Sequence, residues 1–278
     1  MTNKLLKPSC SLKVRVYTNN VRFDNRNHPD KGELPWALRK VGVTGSIKFN
    51  AYPGLANVVN LQEVLHNQLN DIIEELGPEW AFYGVGRTDG KTKGEYSPIF
   101  YKKREWKLLE SKTIWLSETP DVPGSKSWDA ALERICTIVV LENRTFPNLK
   151  IKFLNTHFDH QGVIARRESA KIIAGEMKNE TLPAILSGDF NTQPIDEPYL
   201  ILKGAGFKDS RVAASDIYGF HGGTFTGFDK EKIPSMIIDY VWSNNFSPTN
   251  YGVLENNFGE FFSDHRPVVA DFSIKSDD

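Results

Sequence analysis

A chain of 278 residues, 40% hydrophobic and 25% charged, has the composition of an ordinary globular protein and the length to bury a large core. Its 34 basic and 35 acidic residues leave a formal net charge of −1, without the basic excess on which non-specific duplex binding usually draws. Two cysteines, Cys10 and Cys136, argue against a disulfide framework, and no apolar run approaches the length of a membrane span.

The opening Met-Thr-Asn-Lys-Leu-Leu-Lys-Pro lacks the apolar centre of a secretory leader, so a soluble cytoplasmic protein is the simplest expectation. Leu12-Lys-Val-Arg-Val-Tyr-Thr18 then alternates apolar and polar as a strand does and runs into Asn19 and Asn20. A second strand, residues 58–63, ends on Glu63. Leu65, Leu69, Ile72, Ile73 and Leu76 follow as one apolar stripe of a helix. Strand-like segments recur at 80–85, 97–101, 106–115 and 248–254. Between residues 115 and 130 lies a long loop rich in Pro, Gly and Trp that includes Trp128, a natural recognition surface. Arg134 opens an apolar strand, 135–141, in which Cys136 reads as a small buried hydrophobe.

Leu149-Lys-Ile-Lys-Phe-Leu-Asn-Thr-His157 alternates and ends on a histidine, with Phe158, Asp159 and His160 beyond it. A second helix is expected over residues 162–179, with Val163, Ala170, Ile173, Ala174 and Met177 on one face. Arg166 and Arg167 lie near that face. Their stems either cover the core while the heads reach water, or one guanidinium reaches a phosphate. Ala184-Ile-Leu-Ser-Gly-Asp-Phe-Asn191 is the most informative stretch, since an extended backbone sends Asp189 and Asn191 to the same side. The segment 237–242 embeds Asp239 in an apolar strand, where an ionised acid is costly without a partner. Ser263-Asp-His-Arg-Pro267 precedes the last strand, 268–273.

Taken together, Asn20, Leu61-Gln-Glu63, Glu95, Asn155-Thr-His157, Gly188-Asp-Phe-Asn191, Ile238-Asp-Tyr240 and Ser263-Asp-His-Arg-Pro267 resemble, in type and order, the motifs of the endonuclease/exonuclease/phosphatase superfamily. The loop at 115–130, the Asn155–His160 segment and Gly223-Thr-Phe-Thr-Gly-Phe228 resemble a branch shared by bacterial and fungal proteins. The resemblance spans about residues 12–273 with no linker, which favours one domain over 1–278. Residue periodicity alone shows only mixed α and β. The resemblance implies an α/β four-layer sandwich, two mixed β-sheets flanked by helices, with its active site at one end of the sheets.

It also implies a metal-dependent phosphoric ester hydrolase, with Mg²⁺ as cofactor and Mn²⁺ able to substitute. Glu63 would be the principal ligand, with Asn20 beside it and Asp264 assisting; an oxygen donor set suits magnesium. His265 with Asp239, His157 with Glu95, and Asp189 with Asn191 would be the catalytic groups, and either Asp189 or His265 would take the proton from the attacking water. Arg134, Arg167, Trp128, Phe158 and His160 are candidates for substrate binding, with Phe225 and Phe228 as further pocket walls. His28, His66 and His221 receive no role. Asn19 stands where relatives usually carry an aromatic or apolar residue, and Trp242 is bulkier than usual in its strand.

The near-neutral charge favours a phosphorylated small molecule, a nucleotide or a nucleic-acid end, either monoester or diester, as the partner. No membrane contact is expected, and a monomer is the simplest assembly. An endo- or exonuclease is the alternative, and a non-catalytic binding module of the same fold the least favoured reading.

Overall fold

The computed structural model describes residues 11–177, 180–219 and 222–275. Cys10, His221, the opening segment and the expected helix end at Asn179 lie outside them. In chain order the elements are β1 (Ser11–Asn20), α1 (Trp36–Asn50), β2 (Ala56–Gln62), α2 (His66–Leu76), β3 (Trp80–Tyr83), β4 (Ile99–Lys102), β5 (Trp106–Trp115), β6 (Ile135–Asn143), β7 (Lys150–His157) and α3 (Val163–Glu176). They continue as β8 (Ala184–Asp189), α4 (Glu197–Gly204), β9 (Lys208–Asp209), α5 (Ser210–Ala213), β10 (Asp216–Tyr218), β11 (Asp239–Ser243), β12 (Pro248–Val253) and β13 (Val268–Lys275).

One sheet has the order β10-β12-β13-β1-β2-β4-β3 and the other β5-β6-β7-β8-β11-β9. Both are mixed: β1–β2, β10–β12 and β7–β8 pair in parallel, the rest antiparallel. Val14, Val16 and Val58 of the first sheet meet Trp106, Val139, Phe153 and Ile185 of the second in the innermost core. On the outer face of the first sheet, Tyr17, Val59 and Leu61 pack beneath Val43 and Ile47 of α1 and Leu69 and Ile72 of α2. Ala170 and Ile173 of α3 and Tyr199 and Leu202 of α4 cover Ile138, Leu154 and Leu186 of the second. The result is a four-layer α/β sandwich, and its central strands bury side chains on both faces.

The helices depart from the sequence expectation. α1 escapes the periodicity criterion because its buried face mixes Val43 and Ile47 with Arg39 and Thr44, while Leu38, Val41 and Phe49 are exposed. In α3 the buried set is Ala165, Ser169, Ala170 and Ile173, and Val163 is exposed at the first turn. Trp242 is accommodated by an aromatic cluster with Phe190, Tyr199 and Tyr240. Among the described residues no helix is long and apolar enough to cross a membrane.

Candidate active site

Strand register brings the motif residues to one edge of the sandwich. Asn20 at the end of β1 lies opposite Gln62 at the end of β2. In the second sheet, His157, Asp189 and Asp239 stand side by side on three adjacent strands. β13 runs antiparallel to β1, which carries Asp264 and His265 to the same edge. Two motif residues work beneath that edge. Gln62 donates to Asn155 (2.7 Å), and Asn155 donates to the carbonyls of Leu61 (2.8 Å) and Pro98 (2.9 Å). Asn60 donates to Ser187 across the same interface (2.7 Å). These buried bonds tie the two sheets together under the site, where unpaired amides would be costly.

Gly188 is required for this convergence. Its φ of 147° is one that side chains rarely adopt, and a Cβ there would collide with the Thr156 carbonyl oxygen of the neighbouring strand. Glu63 (φ 60°) and Asn191 (φ 45°) are non-glycine residues in left-handed conformations, strain that typically gathers at functional sites.

A cleft of about 370 Å³ opens at this edge, lined by Glu63, Glu95, Arg134, His157, His160, Asp189, Asn191, Asp264 and His265 among others. Asp189 is its hub. Its Oδ2 accepts from Asn20 (3.0 Å), lies 3.4 Å from His157 Nε2 and 3.7 Å from His265 Nε2, and its Oδ1 accepts from the Asn191 amide (2.9 Å). Burial pushes the Asp189 carboxyl up to about 7, with charged His265 opposing the rise and Asp239 adding to it. His265 Nδ1 bonds Asp239 Oδ2 at 2.9 Å. Burial opposes charge on that ring, but the carboxylates of Asp239 and Asp189 outweigh it and hold the His265 pKa well above its usual range. His157 behaves oppositely: burial, with Arg134 and Arg87 nearby, holds its pKa well below the usual range.

The expected Glu95–His157 pair is loose. Glu95 Oε2 lies 3.8 Å from His157 Nδ1, beyond hydrogen-bond range, because both Glu95 oxygens accept from Arg87 (2.7 and 2.8 Å). Asn191 approaches the other ring nitrogen, Nε2, at 3.2 Å. Arg134 is buried, with Nε 3.4 Å from Asp159 and Nη2 3.0 Å from His160 Nδ1, while its Nη1 has no hydrogen-bond partner among the described residues. Asp159 fixes this corner by accepting from the amides of Leu132, Gln161 and Gly162.

Two carboxylate groups could hold a metal ion. Ligand atoms of Asp189, Asp239 and His265 lie within 4.8 Å of one another, although Asp239 and the His265 ring already bond each other. Glu63 and Asp264 also line the cleft and influence each other electrostatically. Burial raises Asp264 to about 6, Glu63 adding to the rise, whereas the Glu63 carboxyl, although burial works against its charge, is held below its usual range by the Asn20 hydrogen bond and by Arg22. Oxygen donors that repel one another, Asp264 buried and Glu63 half-buried, fit a hard divalent cation. Asn20, expected beside the principal ligand, donates its amide nitrogen to Glu63 (2.9 Å) and Asp189 and accepts from the Arg22 amide through its oxygen, so it orients both carboxylates.

Four residues expected at the substrate or its pocket wall, Phe158, Arg167, Trp128 and Phe228, are not part of the cleft lining. Phe158 is fully buried against Phe190, because the strand alternation that turns His157 to the cleft turns its neighbour to the core. Arg167 pairs with Glu168 on the α3 surface, and Arg166 donates to the Asp159 carbonyl. Trp128 is partly exposed and outside the cleft lining. Phe228 is likewise buried, edge-on to Phe261. Phe225 does line the cleft, its ring centroid 5.0 Å from that of His265. Ile238 of the Ile238-Asp-Tyr240 motif lines the wall too, and Arg22, Phe23, Asp30, Leu132 and Met236 join it without any sequence signal of their own. Asn19 supports the site from below by donating to the His265 carbonyl (3.3 Å).

Residues 20–265 match the endonuclease/exonuclease/phosphatase family. A protein of that family from Bacteroides vulgatus is 35% identical, with a TM-score of 0.85 over 95% of this chain and 99% of its own. One from Bacteroides thetaiotaomicron is 33% identical, with a TM-score of 0.87 over 96% and 99%. A mannosyl-6-phosphatase of the same organism is 33% identical, with a TM-score of 0.83 over 92% and 98%. No curated protein sequence matches the chain.

Proposed function

This chain belongs to the endonuclease/exonuclease/phosphatase family, and we propose that it is a Mg²⁺-dependent phosphatase that releases phosphate from a small phosphorylated sugar by direct attack of water. The observation that carries this reading is the buried Arg134, whose side chain lines the same cleft as Asp189, His157 and Asn191. A guanidinium fixed in place by Asp159 and His160 suits a terminal phosphate. The likeness to a mannosyl-6-phosphatase over nearly the whole chain supports a sugar phosphate as the substrate class.

Glu63 and Asp264 would hold the cation, which when bound would neutralise phosphoryl charge and steady the leaving oxygen. Asp189, poised near neutrality, takes a proton from the water that attacks phosphorus. His265, charged and held by Asp239, stabilises the Asp189 carboxylate before attack and the phosphoryl oxygens during it. Neutral His157, Asn191 and Arg134 bind those oxygens. The new P–O bond forms as the bond to the sugar oxygen breaks, and the departing alkoxide takes a proton from solvent.

Hydrolysis of hexose phosphates, p-nitrophenyl phosphate, bis-p-nitrophenyl phosphate, single-stranded RNA and DNA, and duplex DNA tests the assignment, read as phosphate, p-nitrophenol or polymer fragments, with Mg²⁺, Mn²⁺ and EDTA arms. Metal-dependent turnover of the sugar monoesters with polymers untouched is expected. Preferential cleavage of polymers or of the diester would overturn it.

A further inference from the structure

Arg39 lies on α1 with its side chain wholly buried beneath the loop from β1. A guanidinium has five N–H donors, and here each goes to a different backbone carbonyl. Nε donates to Leu34 (2.9 Å), Nη1 to Val21 (2.7 Å) and Phe262 (3.1 Å), and Nη2 to Arg22 (3.1 Å) and Phe23 (3.1 Å). Glu33, 3.6 Å away, supplies counter-charge, and the Trp36 ring lies 5.5 Å from the guanidinium carbon. An apolar side chain here would leave those five carbonyls without a donor, so the guanidinium holds together loops that would otherwise carry unpaired acceptors.

The carbonyls it binds belong to the two stretches that carry the acidic end of the cleft. Phe23, bonded through its carbonyl, donates its amide to Glu63 Oε2 (3.1 Å). Phe262 leads directly into Ser263, which donates to the Asn20 carbonyl (2.5 Å) and accepts from the His265 amide (3.1 Å). Asp264 lies between those two anchors. One side chain therefore fastens the support of Glu63 to the support of Asp264.

We propose that Arg39 is a positioning residue that holds Glu63 and Asp264 at the spacing a divalent cation requires, an inference that rests on those two carboxylates being the metal-holding pair. Lysine would keep the charge but offers three donors from one nitrogen, which cannot meet five carbonyls.

The test is Mn²⁺ binding by calorimetry and electron paramagnetic resonance, without substrate, for the wild type, Glu63→Gln, Arg39→Lys and Val43→Ala. Val43 is buried on the same helix and serves as a stability control. For Arg39→Lys the Mn²⁺ dissociation constant is expected to rise about 10- to 100-fold, the usual consequence of disturbing groups that orient ligands. Excess metal should restore its turnover, and Val43→Ala should bind Mn²⁺ as the wild type does. Wild-type Mn²⁺ affinity in Arg39→Lys, or an equal loss in Val43→Ala, would overturn the proposal. If Arg39→Lys does not fold, Glu33→Gln reads the same quantity by removing the counter-charge: weaker Mn²⁺ binding is expected, and unchanged binding overturns the proposal. Binding that survives Glu63→Gln would overturn the metal assignment itself, apart from the role of Arg39.

Discussion

Asp189 receives amide hydrogen bonds on both carboxylate oxygens and stands 3.7 Å from a histidine that Asp239 keeps charged. The two groups divide the labour of one proton. A base must be deprotonated to act, and Asp189, pushed up to about 7, loses its proton as pH rises through that value. His265 acts as a cation, and its pKa, held well above the usual histidine range, keeps the ring charged past neutrality. In metal-saturated enzyme, kcat/KM should rise with pH through about 7, then decline in the alkaline range as His265 loses its proton. Asp189→Asn should lower kcat by roughly 10²- to 10⁴-fold, the usual contribution of a positioned base, and abolish the acidic limb. His265→Gln should remove the alkaline limb. A wild-type profile flat from pH 6 to 8 would refute this division of roles. His157, held well below the usual range, contributes no limb near neutrality.

The strands were readable because each carries its own pattern and its own polar exit. Leu12–Thr18 alternates, and the Asp239 strand pairs its acid in register with Asp189. Asn20, Glu63, His157, Asp189, Asp239 and His265 converge because parallel and antiparallel pairing places all their strand ends at one edge. Elements without such a pattern stayed hidden. α1 buries an arginine and a threonine on its packed face, and Gly42 meets the Phe262 ring there with no room for a Cβ, so no apolar stripe announces it. Phe158 was open to the same alternation rule that revealed His157, and applying the rule one residue further would have sent it to the core. Arg22 and Arg39 gave no signal, because their significance lies in carbonyls and acids brought near only by folding. Gly188 is the element-level test. In Gly188→Ala the added methyl must displace β7 or β8, and destabilisation of at least about 2 kcal/mol is expected from overpacking and backbone strain together. Denaturant unfolding of the variant measures it; a loss within error of zero would mean that the strands part freely at this point and that the register of His157 and Asp189 is not tightly held.

The molecule as a whole bears on what it can hold. Thirty-four basic residues against thirty-five acidic ones leave little long-range attraction for a polyanion, and the arginines and charged histidine that face the cleft, Arg22, Arg134 and His265, are each engaged with carboxylates of their own. A nuclease that neutralises six to ten phosphates loses about 10³- to 10⁵-fold in affinity between about 50 and 200 mM salt, because each contact releases condensed counterions. A monoester held by one or two buried donors has no such atmosphere to release, and its contacts are shielded from bulk ions by the protein around them. For this chain, kcat/KM on a sugar phosphate should therefore fall less than about tenfold across that interval. Steady-state rates at constant pH and free Mg²⁺, with potassium acetate varied, give the slope. A steep dependence, with log kcat/KM falling by several units per decade of salt, would mean that more phosphates are engaged than the cleft accounts for. It would favour a polymeric substrate lying across the loops around Phe225 and Lys232, next to the cleft. A shallow slope shared by the wild type and Lys232→Ala would confine recognition to the cleft itself, where Arg134 and the carboxylates stand.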